Sequence, residues 1–457
     1  MVFSTYQDRD ADRAAEAITL IAERLADPAR VAEVISGEFH EGAGLTTSAP
    51  LAVSHGLASA ATLYAELAHF DQRWLAVADQ HVRAAVKLLP TTGRYAMVAL
   101  LLAIQSCPDG YARLRRGFAS ALASYVHDRI AYFRSRQLSG VSWDEYDLVA
   151  GLSRPLRALL AAASDPLGTS VEAESAVRAT LRHFIRLSEP IQVEGHEIPG
   201  WWVPPGLQHN QRRFPRGNFN LGLAHGAAAP LSLLCLALKQ GWEIEGQRDA
   251  IWRYADWLSS RASRDETGIS WRGWVTWEEE VAGAEPATAI IRTAWCYGAA
   301  GVAHALYLAG TALDVARWRE QALGSLHDVL NRDESAWRLD GPTLCHGYAG
   351  LLQVLWRVGL DSGDPLLLAG CVRVARSLLD FASPSHVFVV PHLERDPLHP
   401  QPADACCQIR HRAGIRAGAA GVACALLSVT PSSLLVPGAS VPELTAAQRW
   451  DRCLGLS

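Results

Sequence analysis

The chain has 457 residues, of which 49% are hydrophobic, and a formal net charge of -5 at pH 7. This composition supports a large buried core, and the acidic balance argues against a nucleic-acid partner, which needs a basic surface to neutralise phosphates. The charged first 28 residues do not resemble a signal peptide, and no window is apolar over the roughly 18 residues of a transmembrane helix, so we expect a cytoplasmic protein with no transmembrane segment.

A glycine followed by a helical apolar stripe recurs seven times along the chain. The copies, in chain order, begin at Gly56, Gly93, Gly151, Gly226, Gly298, Gly347 and Gly418. Positions four, seven and eight after each glycine are mostly apolar, which is the spacing of one helix face. Pro155 and Pro230 stand four residues after two of the glycines, and proline is tolerated only in the first turn of a helix. Each glycine is therefore predicted to lie in the loop before a helix that begins about three residues later.

The intervals between these glycines have room for a second set of helices. Successive glycines are 37 to 75 residues apart, and amphipathic patterns cover, for example, residues 78–89, 251–262 and 366–381. Seven inner helices alternating with seven outer helices predict an all-α fold, an α/α toroid that forms a single domain over residues 1–457.

Two segments break the repeat. Residues 191–220 are rich in proline, glycine and aromatic side chains and begin with a β-like pattern. Residues 382–405 contain five prolines. We interpret the first as an irregular, partly β-like insertion within the domain and the second as a similarly irregular stretch.

Residues with metal-binding side chains stand just before several of the glycines, and so are predicted to share one end of the toroid. Cys296 and Cys345 lie two residues before a glycine, and His225 and His346 lie one residue before. Two thiolates and one imidazole form a tetrahedral zinc set with one position open, which is typical of a catalytic site, and soft sulfur ligands favour zinc over magnesium or calcium. We predict that Cys296, Cys345 and His346 bind one Zn²⁺ ion.

The remaining cysteines do not follow this pattern. A lone cysteine is most often a small hydrophobic core residue, and five of the nine are interpreted in that way: Cys107, Cys235, Cys371, Cys424 and Cys453. The adjacent pair Cys406 and Cys407 falls outside the repeat and is left unassigned.

Four motifs stand out in the chain: YDLVAG (146–151), NLGLAHGAAAP (220–230), WCYGAAG (295–301) and LCHGYAG (344–350). Together they resemble the signature sequences of the lantibiotic cyclases, the LanC-like family. The resemblance spans all seven repeats. The chain departs from the pattern at Ala228 and Ala229, where the family more often has a glycine, and in the first three repeats, which lack a second glycine.

The resemblance implies a zinc-dependent enzyme that closes thioether rings in a precursor peptide. A partner dehydratase would convert Ser or Thr to dehydroalanine or dehydrobutyrine, and a peptide Cys thiol would then add to the alkene to form lanthionine or methyllanthionine. By motif position, Cys296, Cys345 and His346 match the zinc ligands. The other matched active-site residues are His225, Asp147, Arg292 and Tyr297.

The chemistry of these four residues suits such a Michael-type addition, which leaves an enolate to be stabilised and protonated. His225 is the expected acid, because the usual pKa of histidine lies near neutral pH. Asp147 is expected to orient that imidazole, and Arg292 to balance Asp147 or the enolate. Tyr297 is expected to position the substrate or to donate a hydrogen bond.

Three other functions fit parts of the pattern. The enzyme could add another thiol, such as glutathione, to a dehydrated protein. A toroid without catalysis could serve as a peptide-binding scaffold for a dehydratase. An α/α-barrel glycosidase would share the architecture, but it needs paired carboxylates where this chain has cysteine and histidine.

Overall fold

Helices make up most of the computed structural model, as the repeat predicts. It describes residues 8–41, 49–107, 111–136, 139–164, 170–208, 211–284, 291–394, 408–435 and 450–457. In chain order the helices are α1 Asp8–Leu25, α2 Pro28–Glu41, α3 Ala49–Leu67, α4 Arg73–Lys87, α5 Leu89–Ser106, α6 Ala112–Ser135, α7 Ser153–Ala163, α8 Val171–Leu187, α9 Ala228–Lys239, α10 Gln247–Ser260, α11 Trp277–Val281, α12 Ala299–Ala312, α13 Ala316–Asn331, α14 Tyr348–Ser362, α15 Pro365–Leu379, α16 Ala419–Val429 and α17 Ser432–Leu435.

The strands of the described residues are short and form four antiparallel pairs. In chain order they are β1 Ile191–Val193, β2 His196–Ile198, β3 Asn218–Asn220, β4 Ser263–Asp265, β5 Gly268–Ser270, β6 Trp274–Thr276, β7 His392–Glu394 and β8 Gln408–Arg410. The pairs are β1 with β2, β3 with β6, β4 with β5, and β7 with β8. The predicted insertion at 191–220 is confirmed as a hairpin followed by loops, but its last strand pairs with β6 outside it, a long-range pairing that the sequence pattern does not show.

By its internal contacts the chain divides into two units. The first comprises residues 1–115 and 339–451, and the second comprises residues 116–338 and 452–457. The prediction of one domain over residues 1–457 stays a prediction.

Within each unit, the helices that contain or follow the repeat glycines pack against one another. In the first unit α3 packs on α5 and α16, and α16 packs on α14. In the second unit α9 packs on α7 and α12. The helices between them in the chain pack on these inner helices within the same unit: α4 on α3 and α5, α10 on α9 and α12, and α15 on α14. The alternation of inner and outer helices is therefore observed.

The inner and outer helices differ in how much of their surface is buried. Every residue of α16 is buried, and so is every residue of α12 from Ala299 to Gly310. The outer helices expose part of their surface, for example Trp252 in α10 and Leu366 in α15. Apolar residues all round a helix predict this complete burial, whereas an amphipathic pattern predicts one exposed face.

One outer helix, α15, begins differently from three of the inner helices. The outer helix α15 has a side-chain cap, since the Asp364 carboxylate accepts hydrogen bonds from the backbone N–H groups of Leu366 and Leu367 at 2.9 and 3.1 Å. The inner helices α12, α14 and α16 have a glycine at the capping position and no side-chain cap. Their free N–H groups are satisfied by the preceding loop instead.

The loops before α9, α12, α14 and α16 close in the same way. The N–H group of the residue after the glycine donates to the carbonyl six residues before the glycine, which joins Ala227 to Asn220, Ala299 to Arg292, Tyr348 to Gly341 and Ala419 to Arg412, at 2.8 to 3.2 Å. The glycine itself lies against that carbonyl: a Cβ on Gly298 would be 1.7 Å from the Arg292 oxygen, and one on Gly347 would be 1.9 Å from the Gly341 oxygen. We call this arrangement the glycine-closed loop.

The predicted helix starts need a correction. Helices α12, α14 and α16 begin one residue after their glycine, and α7 and α9 begin two residues after it, rather than about three. Pro230 is the third residue of α9 and so still lies in the first turn, where a backbone N–H would have no helical partner. A proline therefore indicates where a helix begins only to within one turn.

Two repeat glycines do not sit in a loop before a helix. Gly56 lies inside α3, where an added Cβ would be 2.5 Å from the side chain of Ile35, so this glycine allows two helices to approach closely and the prediction for it is wrong. Gly93 lies within α5, but its φ of +61° interrupts the helical backbone, a conformation that favours glycine.

The second predicted irregular stretch is confirmed where the structure describes it. Residues 382–391 form turns and extended segments ahead of β7. The rest of that stretch from residue 395, with Cys406 and Cys407, lies outside the described residues. Among the helices described, none combines the length and the apolar character needed to cross a membrane.

Candidate active site

Cys296 lies in the glycine-closed loop that leads into α12. Thr293 and Gly298 pair across the loop as an antiparallel bridge, and the buried Trp295 indole N–H donates to the Leu454 carbonyl at 3.0 Å. These contacts hold Cys296 in a buried position and leave Tyr297 half-buried. The same residues that close the loop thus determine where the thiol lies.

Cys345 and His346 lie side by side in the glycine-closed loop that leads into α14. The backbone N–H of Cys345 donates to the Arg416 carbonyl at 2.8 Å, and the His346 carbonyl accepts from the N–H of Asp340 at 2.8 Å. Both side chains are half-buried. Cys345 and His346 therefore lie next to each other on a bent, non-helical backbone.

Cys296, Cys345 and His346 form one cluster of potential metal ligands. Their ligand atoms all lie within 4.8 Å of one another. Within the part of the chain that the structure describes, this is the only group of three or more His, Cys, Asp or Glu side chains with that geometry. Two sulfur donors and one nitrogen donor fit zinc, and three protein ligands leave one position for a substrate.

His225 and Asp147 form a hydrogen-bonded pair. His225 Nδ1 lies 2.5 Å from Asp147 Oδ2. The other carboxylate oxygen of Asp147 accepts from the backbone N–H groups of Val149 and Ala150. The Asp147 carboxylate is buried and accepts hydrogen bonds on both oxygens, so its position is fixed. Because a carboxylate can only accept, His225 carries a proton on Nδ1 and donates it to Asp147. The Nε2 atom of the half-buried imidazole takes no part in this hydrogen bond and can exchange a proton with another group.

Backbone hydrogen bonds join the three segments that carry these residues. The Ala224 N–H donates to the Cys296 carbonyl at 3.3 Å, and the Leu148 N–H donates to the Ala224 carbonyl at 3.0 Å. The ring of His225 lies between two aromatic neighbours, with centroid distances of 5.7 Å to Trp143 and 5.9 Å to Tyr297. His225, Asp147 and Tyr297 are therefore brought together, as the sequence motifs predict.

A family model of lanthionine synthetase C-like proteins matches residues 47–439 of this chain. The chain belongs to the lanthionine synthetase C-like family. The resemblance seen in the sequence motifs is thereby confirmed.

Individual relatives of this lanthionine synthetase C-like chain agree with that assignment. The nisin biosynthesis protein NisC of Lactococcus lactis subsp. lactis is 24% identical over 319 residues, which cover 66% of this chain and 72% of NisC. The solved structure of nisin cyclase matches with a TM-score of 0.65 and 19% identity, covering 93% of this chain and 98% of that one. This similarity confirms the predicted fold class, an all-α toroid.

The predicted role of Arg292 in this lanthionine synthetase C-like protein stays a prediction. Its backbone carbonyl closes the loop that carries Cys296, by accepting from the Ala299 N–H at 3.2 Å. Its side chain is half-buried. A contribution of Arg292 to the site through its main chain is therefore observed, and it does not depend on the guanidinium.

The core interpretation of the other cysteines is confirmed for four of them, Cys107, Cys235, Cys371 and Cys424, which are buried. Burial raises the pKa of Cys107 to about 11 and raises the pKa values of Cys235 and Cys371 further. These thiols stay protonated at neutral pH and are poor nucleophiles. Cys453 is only half-buried.

Three residues near the site carry no role in the sequence motifs. Asn220 donates from Nδ2 to the Tyr297 hydroxyl oxygen at 2.9 Å. Burial, reinforced by Asp147, raises the pKa of Tyr146 well above its usual range, so its hydroxyl stays neutral. His392 is paired with the Thr343 hydroxyl at 2.9 Å, and burial together with Arg412 lowers the pKa of His392 to about 3. For Asn220, the only indication of a role in the sequence is its position at the start of the NLGLAHG motif.

Proposed function

We propose that this chain is a zinc-dependent cyclase that forms thioether rings in a dehydrated precursor peptide. The cluster of Cys296, Cys345 and His346 carries the proposal, since it offers the donor atoms of a catalytic zinc site. Membership of the lanthionine synthetase C-like family and the presence of the His225–Asp147 pair support it.

The proposed metal ligands are Cys296, Cys345 and His346, with the fourth position taken by a cysteine of the peptide. A zinc ion bound there would hold that thiol as a nucleophilic thiolate near neutral pH, where a free cysteine, with a pKa of about 8.5, is mostly protonated. Cys345 and His346 are half-buried, so this part of the proposed site is partly exposed to solvent.

His225 and Asp147 supply the proton chemistry of the proposed reaction. When the sulfur adds to the β-carbon of dehydroalanine or dehydrobutyrine, the C–S bond forms and the alkene electron pair moves to give an enolate. A proton must then reach the α-carbon, and the Nε2 atom of a protonated His225 is the proposed donor. The buried Asp147 carboxylate stabilises the positive charge of that imidazolium. The thiol loses one proton and the α-carbon gains one, so no co-reactant is needed.

The proposed substrate requires a partner activity. Dehydroalanine and dehydrobutyrine arise by removal of water from Ser and Thr, so the enzyme class that supplies the peptide is a dehydratase. A peptide with both an alkene and a cysteine thiol closes a ring, whereas a peptide with the alkene alone would take up an external thiol such as glutathione.

The test combines metal analysis with a ring-closure assay. Purified wild-type protein should contain about one zinc per chain, and it should remove the free thiol of a dehydrated, cysteine-containing peptide without changing the peptide's mass. Cys296→Ala should lose both the zinc and the reaction. Cys371→Ala is the matched control, because this thiol is equally buried but lies in α15 away from the cluster.

Two results would contradict the proposal. One is metal-free protein that closes rings at the wild-type rate. The other is a zinc content that is unchanged by Cys296→Ala. If wild-type protein instead joins added glutathione to a dehydrated peptide and closes no ring, the enzyme adds an external thiol and is not a cyclase.

A further inference from the structure

Asn220 is a fully buried amide at the end of β3 that touches two parts of the candidate site. Its Nδ2 atom lies 2.9 Å from the Tyr297 hydroxyl oxygen, and its Oδ1 atom accepts from the Gly222 N–H at 2.9 Å. Its main-chain carbonyl accepts from the Ala227 N–H at 2.8 Å, which closes the loop that carries His225. One residue therefore links Tyr297 to the His225 loop.

The hydrogen bonds decide which way the Asn220 amide faces. The Gly222 N–H can only donate, so the side-chain atom next to it must be the amide oxygen. The amino group then faces Tyr297 and donates to its oxygen. A half-turn of the amide would place its NH₂ group against the Gly222 N–H, which sets two donors against each other in a buried site.

This orientation constrains the Tyr297 hydroxyl. Because its oxygen accepts a hydrogen bond from Asn220, its own hydrogen must point to a different acceptor. A hydroxyl that accepts one hydrogen bond also becomes a stronger donor in the next one. The Tyr297 ring lies 5.9 Å from the ring of His225, so this donor lies beside the proposed acid.

We propose that Asn220 is a positioning residue that fixes Tyr297 as a hydrogen-bond donor to the enolate oxygen. This inference rests on the proposed function, since the enolate belongs to the ring-closing addition. Tyr297 donates a hydrogen bond and keeps its proton, while the proton that completes the reaction reaches the α-carbon from His225. Asn220 acts only through Tyr297.

The decisive variant is Asn220→Asp, which keeps the size of the side chain. Its carboxylate still accepts from the Gly222 N–H, but it has no N–H to donate and instead accepts the Tyr297 hydroxyl hydrogen, which turns that donor away from the substrate. We expect ring closure to slow on the order of tenfold, the equivalent of one hydrogen bond. As the pH falls and the introduced carboxyl becomes protonated, it can donate to Tyr297 again, so the rate should recover relative to wild type.

Asn218→Asp is the matched control. Asn218 lies two residues earlier, on the same face of β3, and is equally buried, but its amide pairs with the amide of Gln208. This variant buries a similar charge in the same strand, so it should lose similar stability. We expect its ring-closure rate per folded protein, and the pH dependence of that rate, to match wild type.

A double-mutant cycle completes the test. In a Tyr297→Phe background, Asn220→Asp should cause no further slowing. Equal slowing with and without the Tyr297 hydroxyl, or slowing without recovery at low pH, would overturn the inference. If wild-type protein closes no rings, the proposed function itself fails, whereas ring closure by wild type with an unchanged rate in Asn220→Asp overturns this inference alone.

Discussion

The loops that lead into α14 and α16 have the same backbone and different chemistry. Both are glycine-closed: the Tyr348 N–H donates to the Gly341 carbonyl at 2.9 Å, and the Ala419 N–H donates to the Arg412 carbonyl at 2.8 Å. The two positions before the glycine are Cys345 and His346 in the first loop, but Arg416 and Ala417 in the second. The same closure therefore occurs in loops with and without candidate ligands, and the side chains before the glycine determine whether a loop can take part in a site.

Loss of a ligand should have the largest effect. His346→Ala leaves two of the three proposed donors, and even the loss of a partner outside the ligand set lowers metal affinity roughly 10- to 100-fold. We expect almost no bound zinc and a ring-closure rate below about one hundredth of wild type. Ala417→Ser changes the equivalent position of the other loop and should leave the zinc content at the wild-type value. Equal zinc loss in both variants would show that the second loop also contributes to the site.

The closing glycines should matter nearly as much, and in both loops. A Cβ on Gly347 would lie 1.9 Å from the Gly341 oxygen, and one on Gly418 would lie 2.3 Å from the Arg412 oxygen. We expect Gly347→Ala and Gly418→Ala each to lower the free energy of unfolding by about 2–4 kcal/mol, measured by denaturant titration. Only Gly347→Ala should also lower the zinc content of the folded protein. A neutral effect of either substitution would mean that its loop can close without glycine.

The loop that leads into α9 is a third case, because it is glycine-closed and carries His225 rather than the proposed ligands. Asp147→Asn removes the carboxylate that pairs with His225 Nδ1 and that, in the proposed reaction, would stabilise the protonated imidazole. We expect retained zinc with ring closure slowed roughly 10²- to 10⁴-fold, the range for a general acid, and His225→Ala should behave alike. Zinc loss in either variant would place this pair among the groups that hold the metal.

The smallest effect should come from a buried hydrogen bond that one loop has and the other lacks. The Thr343 hydroxyl pairs with His392 at 2.9 Å, whereas Gly414 occupies the matching position before Gly418. Thr343→Val keeps the shape but leaves the buried imidazole without this partner. We expect a loss of about 1–3 kcal/mol in the free energy of unfolding with unchanged zinc content. A drop in zinc would indicate that His392 supports the ligand loop directly.

Much of the site could be predicted because its residues have a fixed position relative to the repeat glycines. Cys296, Cys345 and His346 stand immediately before a glycine and an apolar helix, and the structure brings these three together. The pairing of His225 with Asp147 came from motif resemblance, since nothing in the spacing of two residues so far apart indicates contact. Asn220 was not predicted, because the sequence alone does not show that its side chain donates a hydrogen bond to the Tyr297 hydroxyl.

The limits for the fold have similar physical causes. An apolar stripe has the same period whether its glycine precedes the helix or lies within it, so Gly56 could not be distinguished from Gly347. Proline restricts a helix start only to the first turn, which explains the early starts of α7 and α9. The pairing of β3 with β6 is a tertiary contact between segments far apart in the chain, and three-residue strands leave almost no periodic signal.

The glycine-closed loop affects which substitutions the protein can accept during evolution. Its closing hydrogen bond joins two main-chain groups, so the side chains at the two positions before the glycine are under no demand from the closure itself. A single substitution there can add or remove a metal ligand, an acid or an aromatic ring while the helix start stays intact. Repeats of this kind can exchange chemistry one residue at a time, and the loop leading into α16 shows a copy that keeps the frame without the proposed ligands.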